Sequence, residues 1–116
     1  MKLQLKRVYE PAAKTDGKRI LVDRLWPRGL STAEAKIDYW AKAAAPSSWL
    51  RRWYRHEPDK WPEFKRRYFA ELKHNVAAVE ELIVRLGKAR ATLLFSSKEV
   101  RHNNAAALKA YLESLR

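Results

Sequence analysis

The sequence predicts a small α/β domain in which a short sheet of at least three strands, mixed or parallel, packs with several helices, one of them long and amphipathic. Three observations carry this. Short apolar runs at 3–9, 19–25 and 91–95 have the length and character of strands. An apolar stripe recurs every three or four residues from Trp61 to Leu86. Strand-like and helix-like segments alternate along the chain, as they do where helices cover a sheet. The 116 residues suit one domain over 1–116, with 47% apolar and 33% charged residues marking a folded globular chain.

Leu3–Tyr9 forms the first strand, with Val8 and Tyr9 favouring extended backbone. Pro11 and Asp16-Gly17 mark a turn. Arg19–Leu25 is the second strand, and its Ile20-Leu21-Val22 run is apolar on both faces, as in a strand covered on two sides. The link between these strands is too short for a crossover helix, which favours an antiparallel pair over a parallel pair with an unusual link. Ser31-Thr32-Ala33-Glu34 matches a capping box and opens a short helix. The stretch 37–45 suits more than one structure and ends at Pro46. Ser47 caps a further helix from Ser48 to His56, with Trp49, Leu50 and Trp53 on one face and Pro58 beyond its end.

The long helix runs from about Pro62 to Leu86. Trp61, Phe64, Tyr68, Leu72, Val76, Val79, Ile83 and Leu86 form one stripe at about 100° per residue, with Pro62 in the first turn and Gly87 past the end. Ala91–Phe95 is a third, buried strand. The last helix starts at about Asn103, capped by Asn103 or Asn104, and buries Leu108, Tyr111, Leu112 and Leu115. The second and third strands, joined through the helical middle, are most simply parallel, so their carboxyl ends share the edge at which open α/β sheets bind ligands.

Composition removes several function classes. No apolar run approaches the roughly 20 residues of a membrane span, and Met1–Lys6 contains no apolar signal core, so a cytoplasmic protein is expected. Without cysteine there are no disulfides, thiolate metal sites or thiol nucleophiles. His56, His74 and His102 lie far apart with no ligand pair at helical spacing, so neither a metal nor another cofactor is expected. Lys and Arg number 25 against 13 Asp and Glu, a formal charge of +12 that attracts polyanions. The same surplus also arises from a solubilising surface or from compositional bias toward Arg and Ala. Oligomeric state is not legible.

Two polar segments meet at the expected sheet edge. After the second strand come Asp23, Arg24, Trp26 and Arg28; after the third come Ser96, Ser97, Lys98 and Glu99, then His102, Asn103 and Asn104. Backbone N–H groups at the start of the last helix favour an anion, with Lys98, Asn103 and Asn104 beside it, and Arg24 and Arg28 can grip phosphate or carboxylate bidentately. His102 suits a general acid or base oriented by Asp23 or Glu99, and Ser97 or Ser96 suits ligand binding or attack. Each has a plainer reading: Asp23 pairing with Arg24 or another arginine, Arg28 capping a helix end, the serines forming a turn, and His102 bonding backbone.

A second constellation interleaves aromatics and cations, from Trp49 to His56 and then Trp61 and Lys65-Arg66-Arg67-Tyr68. Such interleaving can stack bases and contact phosphates. Helical spacing instead puts Trp49, Trp53, Trp61, Phe64 and Tyr68 in the core, leaving Arg51, Arg52, Arg55, Arg66 and Lys73 as an outward basic face. Lys65 falls within the apolar stripe, where it snorkels or points its amine into the site.

The strings Lys6-Arg7-Val8-Tyr9, Asp16-Gly17, Val22-Asp23-Arg24-Leu25-Trp26-Pro27-Arg28-Gly29, Ile37-Asp38-Tyr39-Trp40, Ala45-Pro46-Ser47 and His102-Asn103-Asn104-Ala105 resemble the YeaO-like bacterial proteins over nearly the whole chain. That resemblance implies a compact intracellular α/β domain and brings no established activity. It also implies acidic residues just before His-Asn-Asn, where this chain has Val100-Arg101. The leading expectation is a protein that binds, or a small enzyme that acts on, a phosphate- or carboxylate-bearing small molecule. Its alternative is a non-enzymatic nucleic-acid-binding module using the basic helical surface.

Overall fold

The computed structural model describes residues 2–55 and 57–115. Its strands are β1 (Lys2–Arg7), β2 (Lys18–Leu21), β3 (Tyr39–Trp40) and β4 (Arg90–Phe95). They form one sheet in the order β1–β4–β2–β3. Every pairing is parallel: Leu93 stands opposite Leu5 on one side and Ile20 on the other, and Ile20 stands opposite Tyr39. The second strand ends earlier than its apolar run suggests, although the Val22 N–H still reaches the Leu94 carbonyl at 3.0 Å.

The first two strands are therefore not the antiparallel neighbours expected. Strand β4 lies between them, and the chain returns from β1 to β2 without a crossover helix. Residues 8–17 make the return across one face of the sheet, ending in a short 3-10 turn, Lys14–Asp16. Gln4 donates to the Thr15 carbonyl at 2.9 Å, Lys6 to the Pro11 carbonyl at 2.7 Å and Thr92 to the Asp16 carbonyl at 2.7 Å. These three residues alternate with Leu3, Leu5 and Leu93, so they present the opposite face. Gly17 makes the final turn at φ +65°, where a Cβ would lie 2.2 Å from the Arg90 carbonyl oxygen. Only glycine fits there.

Beneath this return lies a buried ion pair. Asp16 and Arg19 are 5% and 6% exposed, and their charged atoms are 2.6 Å apart. Arg19 also donates to the carbonyls of Ala35 and Lys36, each at 2.9 Å, and Lys6 Nζ lies 3.1 Å from Asp16. Burial alone would push the Asp16 carboxyl up. The Ala13 N–H, Lys6 and Arg19 outweigh it and hold the carboxyl below its ordinary value.

The helices are α1 (Thr32–Ala35), α2 (Ser48–Tyr54), α3 (Trp61–Lys73), α4 (Val76–Leu86) and α5 (Asn104–Ser114). The Ser31–Glu34 capping box forms as read. Ser47 accepts from the Leu50 N–H at 3.1 Å, and Asn103 caps α5 by accepting from the Ala106 N–H at 2.8 Å. The expected end of the second helix, His56, lies outside the described residues. No helix among the described residues is long and apolar enough to cross a membrane.

The single long helix is also corrected: it breaks at His74 and Asn75 into α3 and α4. A straight helix over 62–86 would run about 37 Å, beyond the largest extent of the molecule, 35 Å. At the break Asn75 donates to the Ala43 carbonyl at 2.7 Å. The apolar stripe is then shared differently. Val79, Leu82 and Leu86 are buried, whereas Val76 and Ile83 face solvent at 56% and 38% exposure.

The helices α2–α5 supply most of the apolar cover for Leu3, Ile20, Val22, Ala91, Leu93 and Phe95. The other face is thinner. There Val8, Leu21, Leu94 and Ala35 pack with Trp26, Leu30, Ile37 and Trp40. Strand β4 is thus apolar on both sides and is the centre of the molecule.

Because the Asp16 carboxyl is held low in the fold, its stabilisation is complete at neutral pH and is lost as pH falls through the folded value. Asp16→Asn leaves Arg19 buried without its counter-charge, which costs about 3 kcal/mol. Urea denaturation should show this deficit at neutral pH, narrowing below about pH 4, where the unfolded carboxylate also protonates. A deficit that stays constant down the pH range would contradict the ion-pair account.

Candidate functional site: an arginine-walled pocket at the carboxyl edge

Since all four strands run the same way, their carboxyl ends share one edge, and the segments that follow them build a cavity of about 290 Å³. Tyr9 follows β1; Asp23, Arg24, Leu25, Trp26 and Arg28 follow β2; Ser96 and Ser97 follow β4. The helical layer adds Pro46, Arg51, Tyr54, Phe64 and Asn104. The two polar segments singled out in the sequence do meet.

Asp23 is the joint between them. Its carboxylate accepts from the Ser96 N–H at 2.9 Å, from the Ser96 hydroxyl at 2.6 Å and from the Asn104 amide at 2.9 Å. The same Asn104 amide reaches the Val22 carbonyl at 3.0 Å, and the Trp40 indole donates to the Asp23 carbonyl at 2.7 Å. The carboxylate pairs with neither Arg24 nor His102; its donors come from the turn after β4 and from the start of α5.

Arg24 is half-buried and fixed by backbone. Its Nε donates to the Pro46 carbonyl at 2.8 Å and its Nη2 to the Ala45 carbonyl at 3.2 Å. Arg28 is exposed on a loop whose carbonyl accepts from Tyr9 Oη at 2.8 Å. Arg51 reaches the same pocket from α2. Among the described residues, no carboxylate lies within ion-pair distance of these three arginines. The pocket walls therefore hold three guanidinium groups and one carboxylate.

Other expected residues serve the turn behind the pocket. Ser97 accepts from the Glu99 N–H at 3.0 Å, and Glu99 accepts from the backbone N–H groups of Arg101 (2.9 Å) and His102 (3.1 Å). Those backbone donors, with the nearby His102 and Arg101 charges, hold the Glu99 carboxyl below its ordinary value. Asn103 is buried, with its oxygen capping α5 and its amide donating to the Glu99 carbonyl at 2.8 Å. His102 stacks on Trp61 with ring centroids 5.0 Å apart, and its carbonyl accepts from Tyr54 Oη at 2.7 Å. Lys98 is exposed. Lys98, Glu99, His102 and Asn103 do not line the cavity.

The basic helical residues separate. Arg51 faces the pocket, whereas Arg52, Arg55 and Lys73 point to solvent and Arg66 pairs with Glu63. Lys65 is half-buried with its amine 6.0 Å from the Phe69 ring centroid, and it does not line the cavity. Trp49, assigned to the core by spacing, is instead 54% exposed.

Several contributors were not among the expected site residues. Arg7 clamps the turn after β4 through the carbonyls of Ser97 (2.9 Å) and Ser96 (3.1 Å), across some ninety positions of chain. Glu71 accepts from the Ser47 N–H (2.8 Å) and hydroxyl (2.6 Å), tying α3 to the start of α2. Tyr54 on the pocket wall has its phenol pushed up to about 12 by burial and by the Glu99 charge, so it stays protonated at neutral pH. For Arg51 the spacing pointed the other way: about 200° around the helix from Trp49, counting 100° per residue, it belongs to the outward basic face, yet it reaches the pocket.

A parallel α/β sheet with a cation-walled pocket at its carboxyl edge defines an α/β domain of the open-sheet type. The chain belongs to the YeaO-like family, in the branch described as the "Inactive DUF488-N3 subclade", whose family model matches residues 2–115. It is 41% identical over 115 residues to the uncharacterized protein YeaO of Escherichia coli, covering 99% of this chain and 100% of that protein. It is 39% identical over 111 residues to the uncharacterized proteins Rv3073c of Mycobacterium tuberculosis and Mb3100c of Mycobacterium bovis, covering 96% of this chain and 93% of each relative. No solved structure matches the chain.

Asp23→Ala removes the acceptor of three hydrogen bonds and leaves the Ser96 and Asn104 donors unsatisfied. It should cost about 2–4 kcal/mol in chemical denaturation. A loss below about 0.5 kcal/mol, the range of an ordinary surface substitution, would show that Asp23 does not join the two segments.

Proposed function

We propose that the protein binds an anionic small molecule, bearing phosphate or carboxylate, in the pocket at the carboxyl edge, without transforming it. The observation that carries this reading is the convergence of Arg24, Arg28 and Arg51 on one cavity with no carboxylate paired to them among the described residues. Arg24 is held by two backbone carbonyls, so its guanidinium is ordered before a ligand arrives. Its charge, half-removed from water, is left for an incoming anion.

Binding rather than turnover is favoured by two things. His102, the candidate proton carrier, stacks on Trp61 away from the cavity, and the Asp23 carboxylate is occupied by Ser96 and Asn104. The family description also carries the word inactive. Titration calorimetry with inorganic phosphate at low salt should detect binding. Arg24→Ala should weaken it about tenfold, the value of one charge-assisted hydrogen bond. No heat with the wild-type protein, or equal affinity in the variant, would reject the pocket.

One observation favours nucleic acid as a second reading. The exposed Trp49 ring stacks on Trp53 with centroids 6.4 Å and planes 11° apart, and the Arg67 guanidinium lies 5.3 Å and 4.7 Å from the two rings. Exposed Arg52 stands on the same helix and exposed Arg55 just past its end. Such a surface can stack an unpaired base beside its phosphate. This reading requires that single-stranded oligo(dT) bind with an affinity that falls steeply with added salt. Trp49→Ala and Arg52→Ala should weaken that binding while Arg24→Ala does not. Binding lost only on the Arg24 change would assign the oligonucleotide to the pocket instead.

A further inference from the structure

Resting on the pocket reading above, we infer that the ligand is a phosphate monoester carried on a single planar ring. Three features of the cavity select this chemistry.

The first is charge. Three arginines face one carboxylate, a surplus that a phosphate dianion balances and a monocarboxylate leaves half met. The Asp23 carboxylate does not compete for the arginines, because Ser96 and Asn104 hold it.

The second is the apolar floor. Pro46, Tyr54 and Phe64 are all buried residues that reach the cavity, with Trp26 half-buried at its side. The Tyr54 and Phe64 rings are stacked on each other, centroids 4.2 Å apart and planes 22° apart, and back the cavity from the core; the apolar surface open to a ligand comes from Tyr9 and Leu25, 38% and 57% exposed, and from half-buried Trp26. An inorganic anion would leave that surface wet. A planar ring covers it and gains the burial.

The third is size. The cavity of about 290 Å³ is roughly twice the ~150 Å³ that encloses one benzene ring. It holds one ring and one phosphate, and lies just below the range of pockets that enclose larger ligands.

The test compares four probes by calorimetry on the full chain: phenyl phosphate, inorganic phosphate, benzoate and benzyl alcohol. Phenyl phosphate should bind at least about tenfold more tightly than inorganic phosphate or benzoate, with benzyl alcohol weakest. Arg51→Gln alters an exposed side chain, so the fold should persist by circular dichroism while phenyl phosphate affinity falls about tenfold. If inorganic phosphate binds as well as phenyl phosphate, the ring is wrong and the anion pocket stands. If benzoate matches phenyl phosphate, the phosphate is wrong. If no probe binds, or Arg51→Gln binds phenyl phosphate as the wild type does, the inference fails, and absence of all binding removes the pocket reading with it.

Discussion

Ala91–Phe95 is buried along its whole length and hydrogen-bonds in parallel to β1 on one side and to β2 on the other. This constraint organises the rest. With β4 in the middle, β1 and β2 must both run its way, so the chain between them has to cross the sheet from one edge to the other. That crossing places the polar side chains Gln4, Lys6, Arg19 and Thr92 under residues 8–17, where they find backbone carbonyls and Asp16 as partners. The same parallel arrangement brings every strand end to one edge, and with them the polar turns after β2 and β4.

At that edge the protein treats its charges unequally. Asp23 is spent on architecture, because its oxygens accept from donors that lie far along the chain. Arg24 is held by carbonyls, which fix a guanidinium without cancelling its charge. Carbonyl oxygens are dipoles, so a net cation remains after both hydrogen bonds are made. The donors on Asp23 are neutral too and leave its charge in place, so the cavity's positive sign comes from three arginines against one carboxylate.

Features set by near neighbours were legible in the sequence. The Ser31–Glu34 capping box, the Ser47 and Asn103 caps and β4 all depend on bonds or periodicities a few residues long. The meeting of the two polar segments was also legible, through the parallel relation of β2 and β4. What was hidden depends on distant partners. Nothing local in 8–17 reveals that β4 will insert between the strands on either side of it. The α3–α4 break was masked because Val76 and Ile83 keep the apolar period while facing solvent. Spacing likewise put Trp49 with Trp53 but could not say that Trp53 alone would reach the core, leaving Trp49 stacked outside it beside Arg67. Asp23 showed its importance but not its partners, since Ser96 and Asn104 arrive only with the fold.

The central position of β4 also bears on synthesis. A ribosome releases the chain from the amino end, so β1 emerges long before the strand that pairs with it. Until residues 90–95 are free, β1 has no ladder partner, and the only pairing open to β2 is the two-residue β3. The nascent amino-terminal half therefore holds a lone β1 and a β2 paired over two residues, and sheet closure is a late, long-range event of the kind that slows folding. The strand that organises the finished molecule is the last of the four to be made.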